Sequence, residues 1–196
     1  NSAANSVNTY GGRLTGTQPI NDDVKLGYAL SYAFQTDAGD NASDFDAHYA
    51  AAEAKLIFAG FDVGGGYEML GADAGAQFRT PLATGHAFNG FADAFLAGPT
   101  TNGGPNGLQD FYAFVGTKLP WDVNARVWYH AFATADQMEY LGSEVDLVLS
   151  KKLSERFTVL FKQAWLFDAN GYVASTGAPV ALGETIRSTI QLEYKF

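Results

Sequence analysis

The last eleven residues read Ile186-Arg187-Ser188-Thr189-Ile190-Gln191-Leu192-Glu193-Tyr194-Lys195-Phe196. Even positions carry Ile, Ser, Ile, Leu, Tyr and Phe, whereas odd positions carry Arg, Thr, Gln, Glu and Lys. Successive side chains of a β-strand point to opposite faces, so this alternation predicts a strand with one apolar and one polar face. The pattern is that of a β-sheet and not of a helix.

The same alternation recurs upstream, in segments of roughly ten residues separated by clusters of Gly, Asp, Asn and Pro. It predicts about nine strands and no helix, with strands at 8–16, 24–35, 47–58, 61–69, 111–119, 123–131, 141–150, 156–167 and 186–196. The connections alternate between tight ones at 59–60, 120–122 and 153–155 and long ones at about 36–46, 71–108, 133–139 and 168–183. Short turns at one end and long loops at the other are typical of an outer-membrane β-barrel.

The composition excludes several classes of protein. The chain has 196 residues, a formal net charge of −9 and no cysteine. An acidic chain argues against nucleic-acid binding, and the lack of cysteine excludes disulfides, thiolate zinc sites and Cys nucleophiles. No apolar run approaches the roughly 20 residues of a transmembrane helix. The start, Asn1-Ser2-Ala3-Ala4, has neither an initiator Met nor a signal peptide, which indicates a processed or truncated chain.

The two faces of the strands favour a transmembrane antiparallel β-barrel of the bacterial outer membrane. In lipid every backbone N–H and C=O must be paired internally, so a sheet spans a membrane only when it is closed. In a soluble β-sandwich or lipocalin-like barrel, the alternative, the apolar face points inward and the outer face is densely charged. Here the non-apolar face consists of Gly, Ala, Ser and Gln with scattered charges, which favours lipid outside and water inside.

Strand parity assigns eight basic and six acidic side chains to the inner, polar face of such a barrel. They are Arg13, Lys25, Lys55, Lys118, Arg126, Lys162, Arg187 and Lys195, and Glu53, Asp62, Glu68, Glu144, Asp146 and Glu193. Eight minus six is +2 in a chain of −9, so this wall favours anions. Arg126, Lys162 and Arg187, at mid-strand, are the leading pore-lining candidates. The alternative is that the charges are structural, with Glu144 and Asp146 paired across strands to Arg126.

Neither catalysis nor a metal centre is expected. His48, His86 and His130 share no metal-ligand spacing. Ser143 and His130 fall on opposite faces of neighbouring strands, which argues against a Ser–His pair. We expect no cofactor and no enzymatic activity, although calcium in the Asp/Asn-rich loop 37–46 stays open as an alternative to a solvated acidic loop.

The 71–108 connection contains a long motif that resembles the alginate-export family of outer-membrane porins. The resemblance is carried by Gln77-Phe78-Arg79-Thr80-Pro81-Leu82-Ala83-Thr84-Gly85-His86-Ala87-Phe88-Asn89-Gly90-Phe91-Ala92-Asp93-Ala94-Phe95-Leu96 and by Gly107-Leu108-Gln109-Asp110-Phe111-Tyr112. The motif departs from the family by Arg79 inserted after Phe78, Gly85 in the variable slot and Phe91 in place of Trp. Shorter family-like pieces are Asn8-Thr9-Tyr10-Gly11, Asp44-Phe45-Asp46-Ala47, Tyr67-Glu68-Met69-Leu70-Gly71 and Gly142-Ser143-Glu144-Val145-Asp146.

The resemblance implies an 18-stranded barrel, about twice this length, of which residues 1–196 are the C-terminal half and a single partial barrel domain. It implies a porin or exporter of polar, anionic solutes, alginate being the founding substrate. The implied partners are outer-membrane lipid, the solute, and a missing N-terminal half or a second chain.

The resemblance also assigns roles to two further sets of residues. Tyr194 and Phe196 are the expected C-terminal signal for the barrel-assembly machinery. The 71–108 connection is expected to fold into or over the pore as a constriction that carries Arg79, His86, Asn89 and Asp93. The alternative is a structural or adhesive barrel with a blocked lumen, which binds a partner through its long extracellular loops.

Overall fold

The computed structural model describes residues 6–80, 89–95, 105–172 and 179–196. Nine long strands form one antiparallel sheet, and helix is confined to short 3-10 turns such as Pro120–Asp122. The all-β class and the number of long strands are therefore confirmed. Across these same ranges, no helix combines the length and the apolar character needed to cross a membrane.

The long strands follow one another in the sheet in the order in which they occur in the chain. They are β1 (Val7–Pro19), β2 (Val24–Asp37), β3 (Asp46–Phe58), β4 (Phe61–Leu70), β7 (Leu108–Leu119), β8 (Val123–Ala133), β9 (Tyr140–Ser154), β10 (Phe157–Tyr172) and β11 (Pro179–Tyr194). Two short strands inside the longest connection, β5 (Ala72–Asp73) and β6 (Ala76–Gln77), form a separate hairpin. β1 and β11 are the edges of the sheet, and no pairing between them occurs in the described ranges.

Connections are short at one end of the sheet and long at the other, as the sequence predicts. The short ones cover 20–23, 59–60, 120–122 and 155–156, and the long ones cover 38–45, 71–107, 134–139 and 173–178. At 59–60, Phe58 pairs with Phe61. The intervening Ala59 and Gly60 have positive φ angles of 47° and 81°, as a two-residue type I′ hairpin requires.

Several strand boundaries differ from the prediction, among them those at two connections. The turn expected at 153–155 lies at Glu155–Arg156, because Ser154 still pairs with Phe157 at the end of β9. The loop expected at 168–183 is shorter, because β10 and β11 extend to Tyr172 and Pro179.

A bulge explains the second difference. The register of β10 against β11 shifts between Leu166 and Ala169, and the intervening Asp168 has a φ of 53°. An extra residue in a bulge breaks the alternation of side chains. A pattern of period two therefore stops at the bulge, although the strand continues.

The register places the large apolar side chains of neighbouring strands on one common face, which we call the apolar face. Val115, for example, pairs with Val63 on one side and with Val127 on the other. The side chains of this face are exposed, Ile186 and Ile190 to 73%. Its exposed members are Tyr10, Leu14, Leu30, Tyr32, Leu56, Phe58, Phe61, Val63, Phe111, Val115, Leu119, Val127, Tyr129, Trp165, Ile186, Ile190, Leu192 and Tyr194.

The buried core lies on the opposite face, which we call the charged face, close to the long connections. Side chains of the strands pack there against side chains of the connections: Leu70, Leu108, Phe132 and Leu166 against Phe45, Phe78 and Phe95. The core is therefore formed between one face of the sheet and the chain segments that fold over it.

Candidate functional site

The charged face carries the charged side chains of the strands in rows that follow the cross-strand register. The first row contains Lys25, Asp62, Arg126 and Lys162, and the second contains Lys55, Asp146 and Arg187. The third contains Glu53, His130 and Glu144, and the fourth contains Arg13, Glu68 and Asp110. Cations therefore dominate toward the short connections, where Lys118 also lies, and carboxylates dominate toward the long ones.

Arg126 is held by an ion pair and by two aromatic rings. Its guanidinium binds the carboxylate of Asp62, two strands away. Its Cζ lies 5.1 Å from the ring centroid of Phe114 and 5.3 Å from that of Trp128. Arg126 is therefore paired with an acid, as the alternative interpretation predicted, but the acid is Asp62 and not Glu144 or Asp146 of β9. A cavity of about 390 Å³ opens beside this group.

Two tyrosines hold carboxylates in the acidic rows. Tyr49 Oη donates a hydrogen bond to Glu68 Oε1 at 2.7 Å, and Tyr112 Oη donates one to Glu53 Oε2 at 3.0 Å. The four side chains line a second cavity, of about 230 Å³, together with Arg13 and others. This cavity is rich in hydrogen-bonding oxygen atoms, as suits a polar solute.

His130 links two carboxylates of the charged face. Its Nδ1 lies 2.9 Å from Asp110 Oδ2, and its Nε2 lies 3.7 Å from Asp146 Oδ2. Its ring stacks on Phe132 at an interplanar angle of 8°. Asp110 is not among the residues predicted for this face, because the predicted strand begins at residue 111, whereas β7 begins at Leu108. If the alternation of β7 is extended backwards from its charged-face positions, it predicts Asp110 on this face.

Residues 89–95, which we call the strap, lie across the charged face from β8 to β11. The ring of Phe91 meets Trp128 edge-on at 5.7 Å between centroids, and Lys162 Nζ lies 4.9 Å from the Phe91 centroid. Asp93 forms an ion pair with Arg187. Two of the leading pore-lining candidates are therefore in contact with the strap.

Glu144 and Asp146 bind the backbone of the strap. The N–H of Phe91 donates to Asp146 Oδ2 at 3.0 Å, and the N–H of Ala92 donates to Glu144 Oε1 at 2.8 Å. Both acids have an exposure of 0%. They lie on the expected face, but the strap covers them, so they do not line open space as the sequence analysis predicted. The amides that bind them lie 55 and 52 residues away in the sequence, so no local sequence pattern indicates these hydrogen bonds.

Gly90 permits this close contact. Its φ is +82°, and a Cβ atom there would lie 2.6 Å from Glu144 Oε2. Any side chain would therefore strain the backbone and push the strap away from the carboxylate.

The other described end of the long connection is anchored on β2. The buried side chain of Gln35 donates from Nε2 to the carbonyl oxygen of Arg79 at 2.9 Å and accepts the Arg79 N–H on Oε1 at 2.7 Å. The Arg79 guanidinium lies 5.5 Å from the ring centroid of Phe45. Five strand spacings of about 4.8 Å separate β2 from β9, so the two anchors lie about 24 Å apart along the sheet. Of the expected constriction residues, Arg79, Asn89 and Asp93 belong to these anchors, and His86 lies outside the described residues.

Tyr194 and Phe196 are both exposed, and their ring centroids lie 6.3 Å apart. Tyr194 pairs with Phe157 at the short-connection end of β10, and the next backbone N–H, that of Lys195, donates to Arg156 O. Their role as an assembly signal stays a prediction.

Within the described ranges, no group of three or more His, Cys, Asp or Glu side chains is placed to hold a metal ion. Comparison of the chain with protein-family models, with curated proteins and with solved structures finds no match. The resemblance to the alginate-export family therefore stays a prediction.

Proposed function

We propose that this chain forms part of the wall of an outer-membrane β-barrel channel for polar, anionic solutes. The two-faced sheet carries the proposal, since exposed large apolar side chains occur on the same face of eight of the nine long strands. Soluble monomers rarely expose apolar patches larger than a few hundred Å². Such a face is stable in contact with the hydrocarbon of a membrane, which leaves the charged face in contact with water.

The charges of the inner wall support anion passage. Lys25, Arg126 and Lys162 share one row with a single acid, Asp62, and Lys55 and Arg187 share the next row with a single acid, Asp146. Rings of cationic side chains attract anions and repel cations in a water-filled pore. A barrel of this kind belongs in the bacterial outer membrane.

The directions of the strands support a further segment as the partner that completes the barrel. Eight antiparallel pairings separate β1 from β11, so these two edge strands run in the same direction. If this sheet closed on itself, β1 and β11 would have to pair in parallel. If two copies of the chain closed one barrel around a common axis, two such parallel pairings would be needed. An odd number of strands from a different segment closes the cylinder with antiparallel pairs throughout. We infer such a segment as the partner, in line with the 18 strands that the resemblance implies.

A channel closed by its own strap is the second candidate. Phe95 is 1% exposed and packs against Phe132 at 4.8 Å between centroids, so the strap is firmly attached to the charged face. A barrel whose lumen is filled in this way would be structural or adhesive. It would bind a partner through the long connections.

Planar-bilayer recording of the full-length protein separates the two candidates. Steady conductance with a reversal potential that favours anions supports the channel. Silent bilayers with correctly inserted protein support the blocked barrel, and a preference for cations overturns the assignment of the cationic rows. The intact mass of the protein from its native membrane tests the partner: a value well above 21.0 kDa is expected, and a mass of 21.0 kDa contradicts it.

A further inference from the structure

Glu144 and Asp146 form a buried pair beneath the strap, which we call the acid pair. Their side chains are hydrogen-bonded to each other. The N–H groups of Ala92 and Phe91 occupy one oxygen of each acid, and the other two oxygens, Glu144 Oε2 and Asp146 Oδ1, receive no hydrogen bond from the rest of the described chain. An ionised carboxylate only accepts hydrogen bonds, so a hydrogen bond between two carboxyl groups requires a proton on one of them. The acid pair therefore shares one proton and carries one negative charge instead of two.

The ionisable groups of the neighbouring strands β7 and β8 do not take over the role of this proton. On β8, Arg126 binds Asp62 instead. His130 Nε2 stands 3.7 Å from Asp146 Oδ2, beyond hydrogen-bond distance, and its Nδ1 is bound to Asp110 of β7. Asp110 is itself an acid and repels a negative charge on Asp146. Loss of the shared proton would therefore add a charge that this side of the acid pair does not compensate.

The cations of the strands on the other side are engaged by the strap. Lys162 of β10 lies over the ring of Phe91, and Arg187 of β11 binds Asp93. Within the described ranges, no lysine or arginine forms an ion pair with either member of the acid pair. Two adjacent charged carboxylates without water or a cation are costly in a protein interior. With the strap in place, the shared proton is what avoids this cost.

We propose that the acid pair is a proton-dependent contact that holds the strap on the charged face and releases it as the pH rises. The strap excludes water from the pair, since both acids have an exposure of 0% and the backbone of Gly90 lies against Glu144. Once the proton is lost, the two charges are stabilised only when water reaches them, and water reaches them when the strap moves away. The contact rests on the strap alone, whereas its consequence, a channel that opens at higher pH, rests on the proposed function.

The number of bound protons sets the size of the effect. Asp and Glu carboxyls in water have lost their protons above about pH 5. The covered acid pair then holds one proton more than the exposed pair, so a rise in pH favours release until the covered pair ionises as well. A difference of one proton changes the equilibrium by about tenfold per pH unit, so we expect the released fraction to rise up to about a hundredfold between pH 6 and pH 8.

Hydrogen exchange of the Phe91 and Ala92 amides measures this release directly, because these amides bind the acid pair. Full-length protein in detergent is exchanged at both pH values, and each rate is divided by the rate of an unstructured amide at the same pH. The protection of the two amides should fall by at least about tenfold between pH 6 and pH 8. The amides of β9 and β10 should keep their protection, which shows that the sheet stays folded.

Three variants identify the group that responds. Glu144→Gln donates to Asp146 without a titrating proton, so the strap should stay protected at both pH values. Glu53→Gln removes a carboxylate from the row of Glu144 and should leave the pH dependence unchanged. His130→Gln should also keep it, although an imidazole titrates in this range.

Two results overturn the proposal. The first is a change in strap protection of less than about tenfold in the unaltered protein. The second is a pH dependence that survives in Glu144→Gln or disappears in His130→Gln, since the imidazole would then be the responding group. If the sheet of Glu144→Gln is not protected, Asp146→Asn, which removes the other carboxyl of the pair, takes its place with the same expected result. Exchange is measured without conductance, so failure of this contact and failure of the channel are distinguishable.

Discussion

Val127→Arg tests whether lipid covers the apolar face. Val127 is 40% exposed and pairs with Val115 and Leu147 on this face. It lies five residues beyond Asp122, so a rise of about 3.3 Å per residue and a tilt of about 40° put it about 13 Å above the turn. That is close to the midplane of an apolar band about 25 Å tall, where arginine costs about 2–4 kcal/mol. At a half-exposed position in water, the same change would stay within about 0.5 kcal/mol.

The assay is reversible urea unfolding of the full-length protein in lipid vesicles. A loss of about 3 kcal/mol lowers the folding equilibrium constant by about a hundredfold. Ser150→Arg is the control, because Ser150 lies on the charged face beside the cavity of about 390 Å³, which has room for the longer side chain. Equal stabilities of the two variants would refute the assignment of the faces, and so would a loss confined to Ser150→Arg.

Three other changes test separate features. Arg126→Gln removes one wall cation, worth about 1 kcal/mol in a watery bore, and should lower the anion preference up to about fivefold; an unchanged reversal potential would count against the cationic rows. Gly90→Ala places a methyl group against the carboxylate of Glu144. A non-glycine residue at a positive φ costs about 1–2 kcal/mol, which should destabilise the strap against local opening. The amides of the strap should then exchange with deuterium roughly tenfold faster, and unaltered exchange rates would exclude this contact. The Lys118 ammonium, 2.7 Å from Asp122, holds the pKa of that carboxyl below its ordinary value. Lys118→Gln should let the pKa of Asp122 rise, so that NMR shows it taking up its proton at higher pH; an unmoved titration would show that the pair does not form.

The sheet could be predicted from the sequence because the direction of a strand side chain depends only on its position along the strand. Counting by twos from Val123 was enough to put Arg126 and Val127 on opposite faces, and the structure has them there. The tight turn at Ala59 and Gly60 was equally visible, since its residues are local.

The anchoring of the strap could not be predicted, because it depends on groups that carry no sequence signature. The partners of Glu144 and Asp146 are backbone amides, and every residue except proline has one. The bulge at Asp168 was hidden for a related reason: the residue that breaks the alternation is an ordinary polar one. Local periodicity thus predicted the sheet, whereas contacts between distant segments decide what covers it.

The rows of the charged face have an electrical consequence for a closed cylinder. Positive side chains outnumber negative ones toward the short turns, and the reverse holds toward the long loops. A pore with this face inside would therefore carry excess charge of opposite sign at its two ends. An anion that enters from the turn side meets an energy well before a barrier, and one that enters from the loop side meets them in reverse. If the sheet is part of such a pore, we expect the pore to rectify, so that its current depends on the polarity of the applied voltage as well as on its size.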